Sequence, residues 1–372
     1  MKIAVSAAFG LERVVSKELS FLGLEKCGGE DGLVLIDGDE AALATANIML
    51  RSADRVSLLL TEFEALSFED VYEAVRAVPW EKYLKKESKI IVQARSVRSR
   101  LSSEPALQSV AKKAVVDSLL ARVHGTVLPE SGFPARIFIK ILKDRARIFI
   151  NASGEALHKR NYAVKRSRAP LRETLAAALV LLSRWKGRDV FVDPFCGGGT
   201  IPIEAALIMN HIYPARNRRF DAEYWPSASS GPWEEVRRKA GEEARDSGCF
   251  ILGRDIDPEM VALSEACAGR AGVGQMVRFE QGDARSSSLP GETGLLVTNP
   301  PYGERLLDGT KTAGLMRALG ENMAHYPRWD ISLLTALDGF EEAFGRKADR
   351  NRKLYNGAMK TYLYQYYGER HG

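Results

Sequence analysis

The feature that most constrains the fold is a regular alternation of short apolar strands and helices in the second half of the chain. Helices are predicted at residues 171–185, 200–210, 258–271 and 312–325. The strands predicted around them are residues 189–193, 249–255, 277–280, 295–298 and 330–336. This order is typical of an α/β domain with a parallel sheet and helices on both faces. Residues 350–356 and 359–367 are predicted to extend the sheet as an antiparallel hairpin.

The first half of the chain predicts smaller α+β units. Strands are predicted at residues 2–9, 33–37, 56–64, 89–97, 135–142 and 146–151, and helices at 11–22, 40–50 and 104–124. Another helix is predicted to begin at Ser67, because Ser67 and Asp70 have the spacing of a capping box. We interpret the polar, basic residues 153–170 as a linker and residues 211–248 as an insertion in the second half.

Positive charge is concentrated in one segment. Residues 85–172 carry 20 basic and 6 acidic side chains, a net charge of +14, whereas the whole chain has a net charge of +5. A solvated charged surface is the alternative interpretation. Because the basic residues form four clusters with few carboxylates in the same segment, we predict a surface that binds a polyanion such as nucleic acid.

Composition excludes several classes of protein. The longest apolar runs are much shorter than the ~20 residues that span a bilayer, so no membrane association is expected. The N-terminus has charged residues where a signal peptide would be apolar, so export is not expected. The four cysteines are scattered, with no pair spaced to hold zinc. We therefore expect a cytoplasmic protein of two or three domains without a metal.

A glycine-rich loop follows the strand at residues 189–193. Its sequence, Asp-Pro-Phe-Cys-Gly-Gly-Gly-Thr, runs from Asp193 to Thr200 and opens a helix, where glycines let a ligand approach the backbone. No Gly-Lys-Ser/Thr follows, so the loop is not a P-loop, and Pro202 occupies the third glycine position of the dinucleotide fingerprint. We expect a nucleotide-like ligand that is not held by its phosphates.

Two more carboxylates follow later strands. Asp255 ends the strand at residues 249–255, where a carboxylate can accept hydrogen bonds from both hydroxyls of a ribose. Asp283 follows the strand at residues 277–280 and is placed to accept an N–H from an adenine amino group. With Asp193 near a charged amino-acid tail, the three carboxylates suit a ligand that joins such a tail to adenosine.

The segment Asn299, Pro300, Pro301 and Tyr302 follows the strand at residues 295–298. An exocyclic amine on a base is a poor nucleophile because its lone pair is delocalised into the ring. The Asn299 side-chain oxygen and the Pro300 carbonyl can accept its two N–H bonds and turn the lone pair out of the plane, and the prolines fix these acceptors. Tyr302 can stack on the base and hold it outside its helix.

These motifs resemble the class I S-adenosylmethionine-dependent methyltransferases with an Asn-Pro-Pro-Tyr motif. More narrowly, residues 169–178, the glycine loop, residues 200–206 and residues 353–357 resemble the THUMP-domain RNA methyltransferases, which include bacterial 23S rRNA guanine-N2 methyltransferases and tRNA relatives. The resemblance implies a ferredoxin-like domain at 1–60, a THUMP domain at 61–155 and a Rossmann-like class I methyltransferase domain at 156–372.

The resemblance also implies roles for individual residues. The cofactor, S-adenosylmethionine, is expected to contact Asp193, Phe195, Cys196, Gly197, Gly199, Thr200, Asp255, Ile256, Asp283 and Ala284. The target amine is expected at Asn299, Pro300, Pro301 and Tyr302. The RNA, rRNA in preference to tRNA, is expected to contact Arg95, Arg98, Arg100, Lys112, Lys113, Lys140, Lys143, Arg145, Arg160, Lys165 and Arg166.

Three alternatives stay open at this point. The same Asn-Pro-Pro-Tyr motif occurs in adenine-N6 DNA methyltransferases and in protein glutamine methyltransferases, so it specifies a planar amine and not its parent molecule. A catalytically silent RNA-binding protein is the third alternative, but the intact glycine loop argues against it. Cys196 is a candidate nucleophile, but it lies in the cofactor loop and is better interpreted as a packing residue.

Overall fold

The computed structural model describes residues 1–123, 127–163, 171–301 and 309–369. The protein contains two mixed sheets of seven strands each. In the first sheet the strands are β1 (Lys2–Ala7), β2 (Lys26–Glu30), β3 (Leu33–Asp37), β4 (Ala53–Glu64), β5 (Lys89–Val97), β6 (Pro134–Leu142) and β7 (Arg145–Asn151). Its helices are α1 (Glu12–Phe21), α2 (Glu40–Met49), α3 (Phe68–Arg76) and α4 (Glu104–Val123).

The long strand β4 joins the two units predicted in the first half of the chain. The strand order is β2-β3-β1-β4-β7-β6-β5. β4 pairs with β1 on one side and with β7 on the other, so one sheet runs through both units. The helix α3 begins with the predicted capping box, in which the Asp70 amide donates to the Ser67 hydroxyl and the Ser67 amide donates to the Asp70 carboxylate.

The second sheet has the predicted α/β architecture. Its strands are β8 (Val190–Asp193), β9 (Ile251–Asp255), β10 (Arg278–Gln281), β11 (Gly294–Thr298), β12 (Trp329–Thr335), β13 (Arg350–Asn356) and β14 (Met359–Tyr366). Its helices are α5 (Glu173–Leu182), α6 (Thr200–Met209), α7 (Ser230–Glu242), α8 (Pro258–Ala271), α9 (Gly309–Met323) and α10 (Phe340–Phe344). The strand order is β10-β9-β8-β11-β12-β14-β13, in which β8 to β12 are parallel and the last two form the antiparallel hairpin.

Three elements were not predicted. Strand β2 consists of Lys-Cys-Gly-Gly-Glu, which has no strand propensity, and it forms because its backbone pairs with β3. Helix α7 lies inside the insertion and packs on α2, where the Glu40 carboxylate accepts from the Ser229 amide at 2.8 Å and from the Trp233 indole at 3.3 Å. The short helix α10 is the third.

The segment predicted as a linker is partly a packed junction. The Ser153 hydroxyl is buried and accepts from the Val56 amide at 2.7 Å, and the Tyr162 ring is 4% exposed. One continuous apolar core extends from Ile3 in the first sheet to Phe191 in the second. Ser153 and Tyr162 are therefore buried in this junction, whereas Glu155 and Asn161 of the same segment are exposed. No helix of the described part of the chain is long and apolar enough to cross a membrane.

Candidate active site

The candidate site lies where the carboxyl ends of β8, β9 and β11 meet. Strand β8 lies between β9 and β11, and the strand order reverses at β8 and β11. In open α/β sheets, ligands bind outside the carboxyl ends of the strands at such a reversal. The glycine loop follows β8, Asp255 ends β9, and Asn299 follows β11. The fold therefore brings together the residues that the sequence placed at three separate strand ends.

Asp193 forms the buried centre of this site. Its side chain accepts from the Thr298 hydroxyl at 2.6 Å and from the Phe195 amide at 3.1 Å. The residue is 1% exposed. Burial raises the pKa of Asp193 to about 7, although the two hydrogen bonds act to lower this pKa. Thr298 was missed by the sequence analysis, although a threonine that ends the apolar strand Leu-Leu-Val-Thr is a signal that could have found it.

The glycine loop combines one crowded glycine with one open glycine. Gly199 has φ +78°, and a Cβ there would lie 3.0 Å from the Ser264 side chain and 3.1 Å from the Phe279 ring. Gly197 has φ +51°, but a Cβ there would meet no atom within 4 Å. Gly199 is thus required by packing, whereas Gly197 borders open space. Thr200 begins α6 directly after this loop.

Asp255 connects the glycine loop to the end of β9. One carboxylate oxygen accepts from the Gly197 amide and the other accepts from the Asp257 amide, each at 3.0 Å. Each carboxylate oxygen can accept more than one hydrogen bond, so both can still accept hydroxyl donors. The adjacent Ile256 side chain is 60% exposed, which leaves an apolar surface beside the carboxylate.

Asp283 is engaged in an ion pair. The Arg285 guanidinium donates to both carboxylate oxygens of Asp283, at 2.9 Å and 2.5 Å, and holds the pKa of that carboxyl below its usual range. The neighbouring Ala284 is buried, and its carbonyl accepts from the Asn322 side-chain amide at 3.2 Å. A ligand group that bonds to Asp283 must share this carboxylate with Arg285.

Asn299 has a buried oxygen that no described residue satisfies. Its Oδ1 atom is shielded from solvent and lacks a hydrogen-bond partner within the described ranges. A buried polar atom without a partner costs ~1–3 kcal/mol, so this oxygen is a candidate acceptor for a bound donor. Pro300 is buried and Pro301 is half-buried. Tyr302, the fourth residue of the motif, lies outside the described residues.

Cys196 occupies a packing position. It is 6% exposed, and its sulfur lies 3.7 Å from the Ser264 hydroxyl. Burial raises the pKa of the Cys196 thiol well above its usual value. A nucleophilic cysteine needs a depressed pKa, so this environment agrees with the interpretation of Cys196 as a loop residue. Across the four described ranges, no three metal-binding side chains cluster.

Arg160 was predicted to bind RNA, and this prediction is wrong. Its side chain is 2% exposed and forms an ion pair with Glu204 of α6, whose side chain is fully buried. Arg160 also donates to the Arg51 carbonyl, and the Tyr162 hydroxyl donates to Glu204 at 2.9 Å. The sequence shows a basic run at this point, but the fold buries Arg160 against the Glu204 carboxylate. The negative charge of this carboxylate offsets part of the cost of burying the guanidinium.

Five other predicted RNA contacts are ion-paired at the surface. The pairs are Arg95 with Glu104, Lys112 with Glu130, Lys113 with Asp117, Lys140 with Glu30 and Arg145 with Glu62. Two of the partners, Glu30 and Glu62, lie outside residues 85–172, so the net charge of +14 counted for that segment does not include them. Arg98, Arg100 and Lys143 are exposed and form no ion pair with a described residue. Lys165 and Arg166 lie outside the described residues.

Comparison with known proteins agrees with this architecture. The model of the RMKL-like methyltransferase domain matches residues 160–365. The RlmL ferredoxin-like domain matches residues 2–57, and the THUMP domain matches residues 65–151. The Bacillus subtilis protein YpsC, a proposed RNA methyltransferase, is 39% identical over 99% of this chain and 96% of its own length.

Solved structures of similar length share the whole fold. SMU.472, a proposed methyltransferase crystallised with S-adenosylhomocysteine, is 41% identical, covers 100% of this chain and 99% of its own, and has a TM-score of 0.92. A Listeria monocytogenes protein named as a predicted N6-adenine-specific DNA methylase is 40% identical, with 99% and 96% coverage and a TM-score of 0.92. The chain belongs to the RMKL-like methyltransferase family, in which a class I methyltransferase domain follows ferredoxin-like and THUMP domains.

Proposed function

We propose that the protein transfers a methyl group from S-adenosylmethionine to the exocyclic N2 amine of a guanine in RNA, with 23S rRNA as the substrate. The observation that carries this proposal is the buried, unsatisfied Oδ1 atom of Asn299 at the end of β11. An aromatic amine is a donor that can satisfy this oxygen. The adjacent Pro300 carbonyl supplies a second acceptor for the other N–H of the same amine.

The residues around the glycine loop fit the cofactor. The open space beside Gly197 admits a ligand against the backbone, and Asp193 at the end of β8 supplies a carboxylate for a charged amino group. Asp255 has acceptor capacity for ribose hydroxyls, and the exposed Ile256 side chain can cover one face of an adenine. SMU.472, which shares 41% of the sequence, was crystallised with the demethylated form of this cofactor.

The two acceptors at Asn299 and Pro300 prepare the amine for alkylation. When bound, S-adenosylmethionine supplies a methyl group activated by its positively charged sulfur. Holding both N–H bonds turns the nitrogen lone pair out of the ring plane and aims it along the line of displacement. The nitrogen–carbon bond forms as the carbon–sulfur bond breaks. The amine becomes acidic as it is alkylated, so its proton can leave to water without a strong base in the protein.

RNA is favoured over DNA by the first half of the chain. A THUMP domain and a segment with a net charge of +14 accompany the methyltransferase domain, and Arg98, Arg100 and Lys143 are exposed cations that no described residue pairs. The B. subtilis relative is a proposed RNA methyltransferase. An rRNA substrate places the protein in the cytoplasm. The second candidate is adenine-N6 methylation of DNA, which the name of the L. monocytogenes relative favours.

One assay separates the two candidates. The purified protein is incubated with radiolabelled-methyl S-adenosylmethionine and, in separate tubes, unmodified 23S rRNA, unmodified tRNA and unmethylated DNA, and each product is digested to nucleosides. We expect label in N2-methylguanosine from 23S rRNA alone. Label in N6-methyladenine from DNA would replace the proposal with the second candidate, and label in tRNA would correct the RNA class. The Asn299→Ala variant serves as the inactive control.

A further inference from the structure

A cavity of about 480 Å³ lies between the first sheet and the methyltransferase domain. Phe9, in the loop after β1, and Asp54, at the start of β4, line it from the first half of the chain. Arg172, just before α5, and two residues of the β13–β14 hairpin, Lys353 and Tyr355, line it from the second half. None of these residues belongs to the candidate cofactor site.

The cavity lies at the same edge of the second sheet as Asn299. Strand β14 runs antiparallel to β12, with Tyr362 opposite Thr335, so the hairpin turn extends beyond the carboxyl end of β12 by ~10 Å. The start of α5 lies at this turn, since a Cβ on Gly357 would be 3.9 Å from the Arg172 guanidinium. Strand β13, which carries Lys353 and Tyr355, is the third strand from β11, about 14 Å away at the usual strand spacing, and Asn299 follows β11. The cavity is therefore on the side of the target amine and away from Asp255 on β9.

The lining of the cavity combines aromatic rings with cations. Phe9 and Tyr355 meet edge to face with centroids 5.7 Å apart, and Phe9 is 47% exposed. The Lys353 ammonium lies 5.3 Å from the centre of the Tyr355 ring. Lys353 forms no ion pair with a carboxylate of the described chain. Arg172 faces Asp54: burial raises the pKa of the Asp54 carboxyl, and the Arg172 charge lowers it. Asp54 also accepts a hydrogen bond of 3.3 Å from the Thr174 hydroxyl. Rings that accept stacking, beside a lysine that forms no ion pair with a described residue, are the features of a single-strand nucleotide site.

The position of Phe9 is fixed by the loop that carries it. Gly10 has φ +92°, and a Cβ there would lie 2.8 Å from the Lys353 carbonyl, so the loop backbone packs directly on β13. The Gly10 amide donates to the Glu12 carboxylate at 2.9 Å, which also accepts from the Gly32 amide at 2.8 Å. The two aromatic rings are thereby preorganised although they come from opposite ends of the chain.

We propose that this cavity holds one unpaired nucleotide of the RNA substrate a few nucleotides from the target guanosine, with its base on Phe9 and Tyr355 and its phosphate on Lys353. The volume lies within the ~300–1,000 Å³ of small-ligand sites and is far too small for a duplex. The inference rests on the proposed function and deepens it. It implies that the enzyme requires single-stranded RNA on one side of its target.

The test uses the full-length protein and 23S rRNA transcribed in vitro with 4-thiouridine in place of some uridines. The variants are Tyr355→Ala and Lys353→Gln, with Tyr355→Phe as the conservative variant. Phe21→Ala is the matched control, because Phe21 is 80% exposed and lies outside the cavity. For each protein the KM for RNA, the Kd for S-adenosylmethionine, the melting temperature and the photo-cross-linked peptides are measured.

Tyr355→Ala and Lys353→Gln are expected to raise the KM for RNA about 10-fold, as loss of one stacked base or one phosphate contact does. Tyr355→Phe and Phe21→Ala should match the wild type, as should the cofactor Kd and the melting temperature of all variants. In the wild type, 4-thiouridine should cross-link to the peptides that contain Phe9 or Tyr355.

Unchanged KM values without such cross-links would overturn the nucleotide site while leaving the proposed function intact. A weakened cofactor Kd in the cavity variants would overturn it as well, because the cavity would then belong to the cofactor site. Cross-links at Phe9 or Tyr355 with no methyl transfer to RNA would uphold the nucleotide site and contradict the proposed reaction. The failure of one proposal is thus distinguishable from the failure of the other.

Discussion

At the scale of single residues, Asp193 shows that a buried carboxyl in the candidate cofactor site reduces the stability of the cofactor-free protein. Its carboxyl is buried, and its pKa is raised to about 7 in the folded protein from 3.8 in the unfolded chain. A carboxyl with a raised folded-state pKa contributes stability that is complete below the unfolded pKa and is lost as pH rises through the folded pKa. As the pH rises from 4 to 7, the ionisation of Asp193 therefore lowers the free energy of unfolding of the cofactor-free protein.

The first prediction follows from this sign. Asp193→Asn removes the buried charge, so the cofactor-free variant should melt at a higher temperature than the wild type at pH 8. The difference should be smaller at pH 5, and it should vanish only below the unfolded pKa of 3.8. The same variant should bind S-adenosylmethionine more weakly at pH 8. Thermal melts at the two pH values and a binding titration check both parts. A variant that is less stable than the wild type at pH 8 would contradict the assigned cause.

The second prediction concerns the amine acceptor. Asn299→Ala should lower kcat for RNA at least about 100-fold, the loss seen when one oriented polar group is removed from a transition state. Cofactor affinity should not change, because Asn299 follows β11 and not the glycine loop. Single-turnover rates and a cofactor titration provide the measurements. Wild-type activity in this variant would remove the proposed amine site.

The residue scale also shows why some site residues are predictable from sequence and others are not. Three of the site residues end or follow a strand: Asp193, Asp255 and Asn299. Parallel strands bring such residues to one edge of the sheet, whatever the packing of the surrounding side chains. The ion pair between Arg160 and Glu204 depends on which surface of α6 meets the junction. Likewise, the partner of Asp283 is Arg285, two residues away, which a motif search does not reveal.

At the scale of elements, two of the three glycines in the loop after β8 have different roles: Gly199 is needed for packing, and Gly197 leaves space for a ligand. Both have positive φ, but only Gly199 faces side chains at close range. The third prediction is that Gly199→Ala and Gly197→Ala differ in kind. Gly199→Ala should lower the free energy of unfolding by about 2–4 kcal/mol, from backbone strain plus overpacking, and Gly197→Ala by about 1–2 kcal/mol from strain alone.

The loss of cofactor affinity is expected to be larger for Gly197→Ala than for Gly199→Ala. Gly197→Ala should weaken S-adenosylmethionine binding more than its own loss of stability explains, because its methyl group enters the open space beside the backbone. Urea unfolding and a cofactor titration on both variants make the comparison. Equal losses of stability, with equal cofactor affinities, would show that the two positions are not distinguished as the structure indicates.

Elements with their own sequence signals were predicted well. The capping box at Ser67 and the strand–helix alternation of the second half are local or periodic signals, and both are confirmed. Strand β2 and helix α7 lack such signals, because β2 is stabilised by pairing with β3 and α7 by contacts with α2, far away in sequence. Tertiary contacts of this kind override the weak local propensity on which a sequence analysis depends.

At the scale of the whole molecule, the two halves of the chain are joined by a buried polar network around Glu204. The fourth prediction is that Arg160→Ala lowers the free energy of unfolding by about 3–5 kcal/mol, because it leaves the Glu204 carboxylate buried without its partner. The double variant Arg160→Ala/Glu204→Gln removes the orphaned charge and should recover part of the loss. Thermal and urea unfolding test this prediction; an unchanged stability would return Arg160 to the RNA surface.

The fifth prediction concerns the RNA surface itself. Replacing Arg98, Arg100 and Lys143 by alanine should weaken RNA binding and reduce the slope of log K against log salt by about 2–3, since each unpaired cation releases counterions from one phosphate. The matched variant Lys140→Ala/Arg145→Ala should change the slope less, because these cations already pair with Glu30 and Glu62. RNA binding measured across a salt series compares them. A larger slope change in the matched variant would reverse this assignment.

The central claim, that this site methylates a guanine amine in RNA, is tested most directly in cells. Total RNA and DNA from a strain that lacks the gene are digested to nucleosides and quantified by mass spectrometry, beside the same strain complemented with the wild type or with Asn299→Ala. The account predicts that one N2-methylguanosine of 23S rRNA is lost, returns with the wild type and stays absent with Asn299→Ala. Unchanged N2-methylguanosine together with a loss of N6-methyladenine from DNA would contradict it.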